Sequence, residues 1–393
     1  MELLRNYVCY VPTLRFKKYD TNWDRKKLSD YVKKITRKNS NNVIKNVICN
    51  SAQNGLIPQL DFFDKEIANN ENTAGYYIIS NGDFVYNPRK SLSAPYGPVN
   101  IYKYDSDGIV SPLYLCFSVD DCINKSFLLQ RFKSPCWYRY IYLNGDSGAR
   151  HDRVSIKDEV FLSQPINLPK AEEQAAIAEF LEKIDERISV QNKIISKYET
   201  LIKGIRHRIF SSICGERQFS LGSFLEEYSE KNVANNLQSV AVGKYGIRKR
   251  EEIYSKELSA DYSKNKVIRK DTLIIGMGST QIDIGILTTD DYYCVSPAYT
   301  TYRIKGINSF YLQEYLIELN PLLSVRYMIT SARQGKAVNK EDLMKHLMTI
   351  HSENEQKEIC QCFENLYSRL QTEKEMLSAL QKQKAFLLQS MFI

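Results

Sequence analysis

The most regular apolar pattern of the chain runs through two long segments, residues 171–210 and 353–392. Apolar side chains recur there at alternating steps of four and three residues, a 3.5-residue period that is typical of a coiled-coil seam. At 1.5 Å per residue, each segment predicts a helix of roughly 60 Å. The seam positions are Ile177, Leu181, Ile184, Ile188, Gln191, Ile195, Tyr198, Ile202, Ile205 and Ile209, then Ile359, Phe363, Leu366, Leu370, Glu373, Leu377, Leu380, Lys384, Leu387 and Met391.

Polar residues interrupt both seams near their middles. Gln191 and Glu373 occupy equivalent positions of the two segments. The middles of two helices meet when the helices pair antiparallel, so we predict that these side chains face each other. A buried polar layer of this kind commonly fixes register. The alternative is that each side chain is solvated independently.

A different pattern precedes each long segment. Short runs rich in Tyr, Ile and Val are broken by Gly, Asn, Pro and Ser, which predicts mixed β structure with some helix. Pro169 provides a start signal for the first long helix. His351 stands in the corresponding place of the second, so the start of that helix is less defined by the sequence.

The two halves of the chain repeat each other. Six short motifs recur in the same order, with an offset that drifts from 193 to 182 residues, as loop deletions would produce. The pairs are Leu28-Ser29-Asp30 with Leu221-Gly222-Ser223, Gly55-Leu56-Ile57 with Gly246-Ile247-Arg248, Asn81-Gly82-Asp83 with Arg269-Lys270-Asp271, Val110-Ser111-Pro112-Leu113-Tyr114 with Val295-Ser296-Pro297-Ala298-Tyr299, residues 147–158 with residues 331–342, and Glu173-Gln174-x-x-Ile177 with Glu355-Gln356-x-x-Ile359.

The repeat predicts an α+β architecture with a pseudo-two-fold internal repeat. Two similar mixed α/β domains are separated by two long antiparallel helices that form a coiled coil. The predicted boundaries are 1–168 for the first domain, 169–213 for the first helix, 214–350 for the second domain and 351–393 for the second helix.

Composition and charge narrow the class of protein. Lys and Arg total 54 against 46 acidic residues, and a formal net charge of +8 permits nucleic acid as a partner. No apolar run approaches the ~18 residues of a membrane span, and the N-terminus does not resemble a signal peptide, so we expect a cytoplasmic protein. The nine cysteines include no Cys-x-x-Cys pair and are expected to be reduced thiols rather than disulfides or metal ligands.

The search for catalytic motifs gives incomplete matches. Asn87-Pro88-Arg89 has only two residues of an Asn-Pro-Pro-aromatic methyltransferase loop, and Gly276-Met277-Gly278 lacks the third glycine of a nucleotide-binding loop. Gly335-Lys336 is followed by Ala337, which does not fit a P-loop. We found no metal-ligand pair of His-Glu-x-x-His type, no Gly-x-Ser-x-Gly elbow and no acidic nuclease cluster. Together these results favour a binding protein without catalytic residues or metal.

Two pairs of repeated segments are candidates for DNA binding. Arg, Gln, Asn and Lys are the residue types that read base edges, and Lys and Arg also hold phosphates. A solvated surface is the alternative for the basic run at 244–250. The predicted DNA-binding residues are Gln53, Asn54, Arg150, His151 and Arg153 in the first domain, and Lys244, Tyr245, Arg248, Lys249, Arg333, Gln334 and Lys336 in the second.

The chain resembles the specificity subunit of type I restriction–modification systems over nearly its whole length. The residues that carry the resemblance are Leu168-Pro169-x-x-Glu172-Glu173-Gln174-x-x-Ile177-Ala178-Glu179-Phe180-Leu181-x-x-Ile184-Asp185, the run to Ile209-Phe210-Ser211, the second copy from Glu355-Gln356 to Met391-Phe392, the segment Pro12-x-Leu14-Arg15-Phe16 leading to Trp23 and Lys27-Leu28, and Val-Ser-Pro-x-Tyr in both halves. His351 and Lys384 depart from the pattern.

The resemblance implies a non-catalytic DNA-binding protein of phage defence. Two target-recognition domains would each read one half of an asymmetric bipartite site in double-stranded DNA, with the helices setting their separation. Two methyltransferase subunits using S-adenosylmethionine would methylate adenine at N6. Restriction subunits using ATP and Mg²⁺ would cut unmodified DNA, and no cofactor is expected in this chain itself.

Two other classes of function remain open at this stage. One is a stand-alone nuclease or methyltransferase with an unrecognised site, which turnover by the single chain would reveal. The other is a coiled-coil scaffold that does not bind DNA, which salt-sensitive DNA binding would exclude.

Overall fold

The computed structural model describes residues 11–59, 73–146, 152–211, 213, 218–243, 246–250, 261–331 and 335–393. The chain divides into two compact units. Unit 1 comprises Met1–Asn192 and Glu375–Ile393, and unit 2 comprises Lys193–Lys374. Each unit therefore contains one of the two β-rich domains and a part of both long helices.

Unit 1 is built around a four-stranded antiparallel sheet with the strand order β2-β9-β6-β7. Three two-stranded pairs accompany the sheet, namely β1-β10, the hairpin β3-β4, and β5-β8. The described elements are β1 Asp24–Lys27, β2 Val32–Lys34, β3 Ile48–Ser51, β4 Gly55–Pro58, β5 Tyr77–Ile79, β6 Phe84–Tyr86, β7 Val99–Ile101, β8 Gly108–Val110, β9 Leu115–Val119, α1 Lys125–Lys133, α2 Tyr138–Asn144, α3 Asp158–Leu162, β10 Pro165–Leu168 and the start of α4 Ala171–Ser211.

Unit 2 repeats this arrangement with the sheet order β12-β19-β16-β17. Its pairs β11-β22, β13-β14 and β15-β18 correspond to those of unit 1, and unit 2 also contains the pair β20-β21. The described elements are β11 Gln218–Ser220, β12 Leu225–Tyr228, β13 Val240–Gly243, β14 Gly246–Lys249, β15 Lys266–Ile268, β16 Thr272–Gly276, β17 Asp283–Leu287, β18 Tyr293–Val295, β19 Thr300–Ile304, α5 Ser309–Tyr327, β20 Met328–Ser331, β21 Gly335–Val338, α6 Lys340–Met344, β22 Leu347–Thr349 and the start of α7 Glu353–Met391.

The predicted repeat is confirmed down to single turns. In unit 1 the backbone amide of Tyr114 donates to the carbonyl of Ser111 (3.0 Å), and in unit 2 that of Tyr299 donates to Ser296 (3.1 Å). These turns are the two Val-Ser-Pro-x-Tyr motifs. The sequence similarity between the halves therefore reflects one fold that is used twice.

The long helices are antiparallel, as predicted. In unit 1 the start of α4 shares a core with the end of α7, where Leu181 (0% exposed) clusters with Leu387 and Met391. In unit 2 the end of α4 meets the start of α7, where Arg206 donates a hydrogen bond to the Tyr367 hydroxyl (2.8 Å). The predicted seam positions are buried or half-buried along both helices.

Gln191 is buried and Glu373 is half-buried. They belong to different units, so their meeting across the seam stays a prediction.

Both long helices begin with the same junction. The side-chain amide of Gln174 donates to the Pro169 carbonyl (2.9 Å), and its oxygen accepts from the amide of Asn124 (3.0 Å), the N-cap of α1. Gln356 repeats both bonds with His351 and Asn308, the N-cap of α5. The replacement of proline by histidine therefore leaves this junction intact.

Each unit joins its domain helix to the long helices through a polar network. In unit 1, Asp185 on α4 accepts from Gln130 (2.8 Å) and pairs with Lys133 and with Lys384 of α7. Burial opposes the charge of Asp185, but Lys133, Lys384 and Gln130 hold its pKa below the ordinary value. The seam lysine at 384 is therefore compensated by a carboxylate.

In unit 2 the carboxylate lies on the domain helix and the cation lies on a long helix, the reverse of unit 1. Glu314 of α5 is fully buried and pairs with Arg206 of α4 at 2.9 Å, and Tyr367 of α7 donates to the same carboxylate at 3.0 Å. Removal of one partner from such a buried pair leaves an uncompensated charge, which is far more costly than the loss of a surface ion pair.

Among the described residues, no helix has the length and apolar character needed to cross a bilayer. The cysteines described there are free thiols, and Cys360 is buried while Cys362 is exposed.

Candidate DNA interface

The hairpin β3-β4 carries the predicted residues Gln53 and Asn54 at its exposed turn. The Ser51 hydroxyl accepts from the backbone amides of both residues (3.3 and 3.2 Å), and Gly55 closes the turn with a φ of 74°. Gly246 has a φ of 84° in the hairpin β13-β14. The repeated glycine is thus a turn residue, since this conformation strains any other side chain.

Unit 1 fixes its hairpin to the sheet with buried amides. Asn50 of β3 donates to the Val85 carbonyl at 2.8 Å and accepts from the Asn100 amide at 2.7 Å. Asn87 donates to the Asn50 carbonyl at 3.2 Å. A buried polar network with these bonds made holds one geometry, so the backbone that carries Gln53 is positioned before any ligand binds.

Unit 2 fixes its hairpin mainly by apolar contact, beside one hydrogen bond from the Tyr299 hydroxyl to the Val242 carbonyl (3.2 Å). Val240 and Val242 of β13 are buried, and Gly285 of β17 lies directly beneath the hairpin. A Cβ at position 285 would stand 2.9 Å from the side chains of Val242 and Ile247. Glycine therefore permits the close approach of the hairpin to the sheet.

A cleft of 390 Å³ lies between the β3-β4 hairpin and the β6-β7 loop. We call it the loop cleft of unit 1, and its lining includes Gln53, Arg89, Lys90 and Tyr114. Burial is the main cause that raises the Tyr114 pKa, while Arg153 and Arg89 act in the opposite direction. The cleft therefore combines an amide that can read a base edge with cations that suit phosphate.

Arg89 and the predicted residue Arg153 stand opposite each other in an antiparallel bridge. The Arg153 Nε is buried without a hydrogen-bond partner among the described residues, and the Asp152 carboxylate is 4.0 Å away. Like charges on opposed residues are unfavourable. A phosphate oxygen would satisfy both guanidinium groups with charge-assisted hydrogen bonds.

A second cleft, of 380 Å³, lies on the other side of the same hairpin. We call it the helix cleft of unit 1. Asn54 lines it together with Lys103 and Tyr104, and Lys133 of α1 completes it. The hairpin turn is therefore bordered by two clefts that both contain exposed cations.

Unit 2 has both clefts at equivalent places. Its helix cleft (420 Å³) is lined by Arg248 and Lys249 of β14 and by Gln313 of α5. Its loop cleft (560 Å³) is lined by Arg250, Met277, Tyr299 and Lys340, among others. The framework is shared with unit 1, but different side chains line it.

The structure brings together only some of the predicted DNA-binding residues. Gln53 lines the loop cleft of unit 1 with Arg89, and Arg89 stands opposite Arg153 in the antiparallel bridge. Arg248 and Lys249 line the helix cleft of unit 2 together. Lys336 lies on β21, next to Ala337, which lines the loop cleft of unit 2. The residues that lie outside the described part of the chain are Arg150, His151, Lys244, Tyr245, Arg333 and Gln334.

Sequence analysis missed Arg89 and Lys90 as candidates. Asn87-Pro88-Arg89 was considered only as an incomplete methyltransferase motif, and the sequence gives no sign that Arg89 lies opposite Arg153. Two consecutive cations in a connection rich in Ser and Pro could have identified Arg89 and Lys90 as candidates. Across the described ranges, no group of three or more His, Cys, Asp or Glu side chains could hold a metal ion.

The chain is similar to known proteins in fold and, over part of its length, in sequence family. Residues 21–200 match the family model of the type I restriction modification DNA specificity domain. One similar structure, solved in work on complex assembly and conformational transition of the type I R-M system, is 16% identical with a TM-score of 0.58, covering 94% of this chain and 98% of that chain. The type I restriction-modification S subunit from M. genitalium is 15% identical with a TM-score of 0.52, covering 98% and 99%. The family match confirms the resemblance seen in the sequence, and the structural matches confirm the fold.

Proposed function

Residues 21–200 match the type I restriction modification DNA specificity family, and from that premise we propose that the whole chain is a member of this family and reads an asymmetric bipartite site in double-stranded DNA. Unit 1 reads one half of the site and unit 2 the other. The observation that carries this proposal is the hairpin with two flanking clefts, which occurs in both units with different side chains.

The difference between the hairpins supports asymmetry of the site. Gln53 and Asn54 are neutral donors and acceptors, and such amides pair well with adenine. Arg248 and Lys249 are cations, which pair with guanine or hold phosphates. Two surfaces of different chemistry on one framework select two different half-sites.

We extend the proposal to the assembly in which the chain acts. The specificity subunit itself is non-catalytic. Two methyltransferase subunits that bind S-adenosylmethionine would methylate adenine at N6, and restriction subunits that use ATP and Mg²⁺ would cleave unmodified DNA. This chain would position those enzymes on the DNA through its two units and its long helices.

The test is a comparison of methylomes. Genomic DNA from a host that carries the gene and its neighbours is sequenced with base-modification detection, beside DNA from the same host without the gene. We expect N6-methyladenine to disappear at one bipartite, asymmetric motif and to return on complementation. An unchanged methylome, together with equal binding of the purified chain to all duplexes, would contradict the proposal. Turnover of DNA by the purified chain alone would instead support a stand-alone enzyme.

A further inference from the structure

The β6-β7 loop of unit 1 presents an apolar side chain to solvent. Leu92 is fully exposed, at 107% of the reference area. It stands between Ser91 and Ser93, which line the loop cleft, and it follows the cations Arg89 and Lys90 of the same cleft. A single exposed leucine is ordinary on a protein surface, but Leu92 is held by a hydrogen-bonded loop, and the same connection of unit 2 also carries an exposed apolar side chain.

The loop that carries Leu92 has a fixed conformation. Ser91 and Ala94 exchange backbone hydrogen bonds of 3.0 and 3.2 Å on either side of Leu92. The amide of Lys90 donates to the Asp152 carbonyl at 2.9 Å. At the end of the loop Gly97 has a φ of 85°, and a Cβ there would lie 2.1 Å from the Asn87 carbonyl oxygen. Leu92 is therefore held outward by a loop that needs little further ordering when it binds.

An equivalent feature exists in unit 2. The connection between β16 and β17 corresponds to the β6-β7 loop and carries Met277, which is 53% exposed. Met277 lines the loop cleft of unit 2 with Arg250 and Lys340. An exposed apolar side chain beside cations thus occurs in the same connection of both halves, directly after the first strand in unit 2 and six residues after it in unit 1.

Cations beside an exposed apolar side chain suit a ligand that is anionic at its edges and apolar between them. Two stacked base pairs meet this description, because phosphates border a flat apolar gap. Proteins that insert leucine or methionine between base pairs partly unstack them and bend the duplex. Unstacking also lowers the cost of extruding a nearby base, which an enzyme that modifies a base in duplex DNA requires.

We propose that Leu92 inserts between neighbouring base pairs of the half-site read by unit 1, and that Met277 does the same in the half-site read by unit 2. The inference rests on the DNA-reading function proposed above. It adds an apolar wedge in each unit to the polar residues that contact bases and phosphates.

The experiment uses the full chain and duplexes that carry the motif found by the methylome comparison. Single positions of the motif are replaced in turn by 2-aminopurine, whose fluorescence rises when stacking is lost. We expect a rise at one base step in each half-site. Leu92→Ser should abolish the rise in one half only and weaken binding by about tenfold, as expected for loss of a buried apolar side chain. Met277→Ser should act on the other half only.

Two further variants serve as controls. Leu92→Phe keeps an apolar wedge and should retain the fluorescence rise. Val43→Ser alters an apolar side chain of unit 1 that is 70% exposed and lines neither cleft, so it should change neither binding nor fluorescence.

The outcomes separate this inference from the function on which it rests. If the chain prefers the motif over a scrambled duplex but no position brightens, or the rise survives in Leu92→Ser, the wedge is refuted and the proposed function stands. If the motif and the scrambled duplex bind equally, the proposed function fails and the wedge fails with it.

Discussion

The two units share a fold but differ in how their polar groups are arranged. In unit 1 the hairpin is fixed by the buried amides of Asn50 and Asn87 and the half-buried amide of Asn100, and its turn is neutral. In unit 2 the hairpin is fixed mainly by apolar contact over Gly285, and its edge carries Arg248 and Lys249. The backbone framework has been kept in both units, while the side chains that support and line the binding surface have changed.

The same contrast appears where each domain meets the long helices. Unit 1 places its carboxylate on a long helix, at Asp185, and the amide of Gln130 with the cation of Lys133 on the domain helix. Unit 2 places its carboxylate on the domain helix, at Glu314, and its cation on a long helix, at Arg206. One supersecondary plan therefore tolerates two distributions of charge, provided that each buried charge has a partner.

The largest expected effect concerns the buried pair of unit 2. Glu314→Ala leaves Arg206 buried without its carboxylate and should lower the free energy of unfolding by about 3–5 kcal/mol. Gln130→Ala, the counterpart in unit 1, should lower it by about 1–2 kcal/mol. Denaturant unfolding of both variants measures the difference. Glu318→Ala is the matched control on the same helix, since its partner His207 is largely exposed. Equal effects of Glu314→Ala and Gln130→Ala would contradict the contrast.

The next effect concerns base recognition by the hairpins. Arg248→Ala should cost about 1–3 kcal/mol on the cognate site and relax one position of one half-site, if this arginine reads a base. Competition binding against duplexes altered at single positions measures both quantities. Uniform weakening on every sequence would instead make Arg248 a phosphate contact. Lys305→Ala removes a cation of the same unit that pairs with Glu226 and lines neither cleft, and should change little.

A smaller effect should distinguish the arginine pair of unit 1. Arg89→Ala removes one guanidinium from the proposed phosphate site and should reduce the slope of log affinity against log salt by about 1. Sequence preference should be unchanged, in contrast with Arg248→Ala. A salt titration of binding on one duplex provides the slope. An unaltered slope would show that Arg89 does not contact a phosphate.

The smallest expected effect is a loss of stability of unit 1 at acid pH. The pKa of Asp185 is depressed in the folded protein, so the stabilisation it provides is present above the unfolded value of about 3.9 and is lost as pH falls through the folded value. Asp185→Asn should therefore flatten the loss of stability below about pH 4. Unfolding measured from pH 6 to pH 3 tests this, and an unchanged profile in the variant would refute the role of Asp185.

Much of the fold could be predicted from the sequence because its signals are local or repeated. The 3.5-residue period identified both long helices. The repeat also paired Gly55 with Gly246, and the structure shows that both glycines have a positive φ in a hairpin turn. The start of the second long helix is better defined than we predicted. Ser352 and Glu355 form a capping box, with Glu355 accepting from the Ser352 amide at 2.8 Å, and this Ser-x-x-Glu pattern was visible in the sequence.

The binding surface was harder to predict because its residues converge from distant segments. Arg89 meets Arg153 only through the return of the chain alongside the β6-β7 loop, and Arg206 meets Glu314 only after both helices have docked. Periodicity identifies buried faces, but it does not identify which charged side chains will share a cleft.

The central claim is that each unit reads its own half of one DNA site. The most direct test is the methylome of a host whose only copy of the gene carries Arg248→Ala and Lys249→Ala, beside a second host with Gln53→Ala and Asn54→Ala. We predict that the first pair of substitutions alters or relaxes only one half of the methylated motif, and that the second pair alters only the other half. A change in both halves from either pair, or a uniform loss of methylation without a change of motif from both, would contradict the claim.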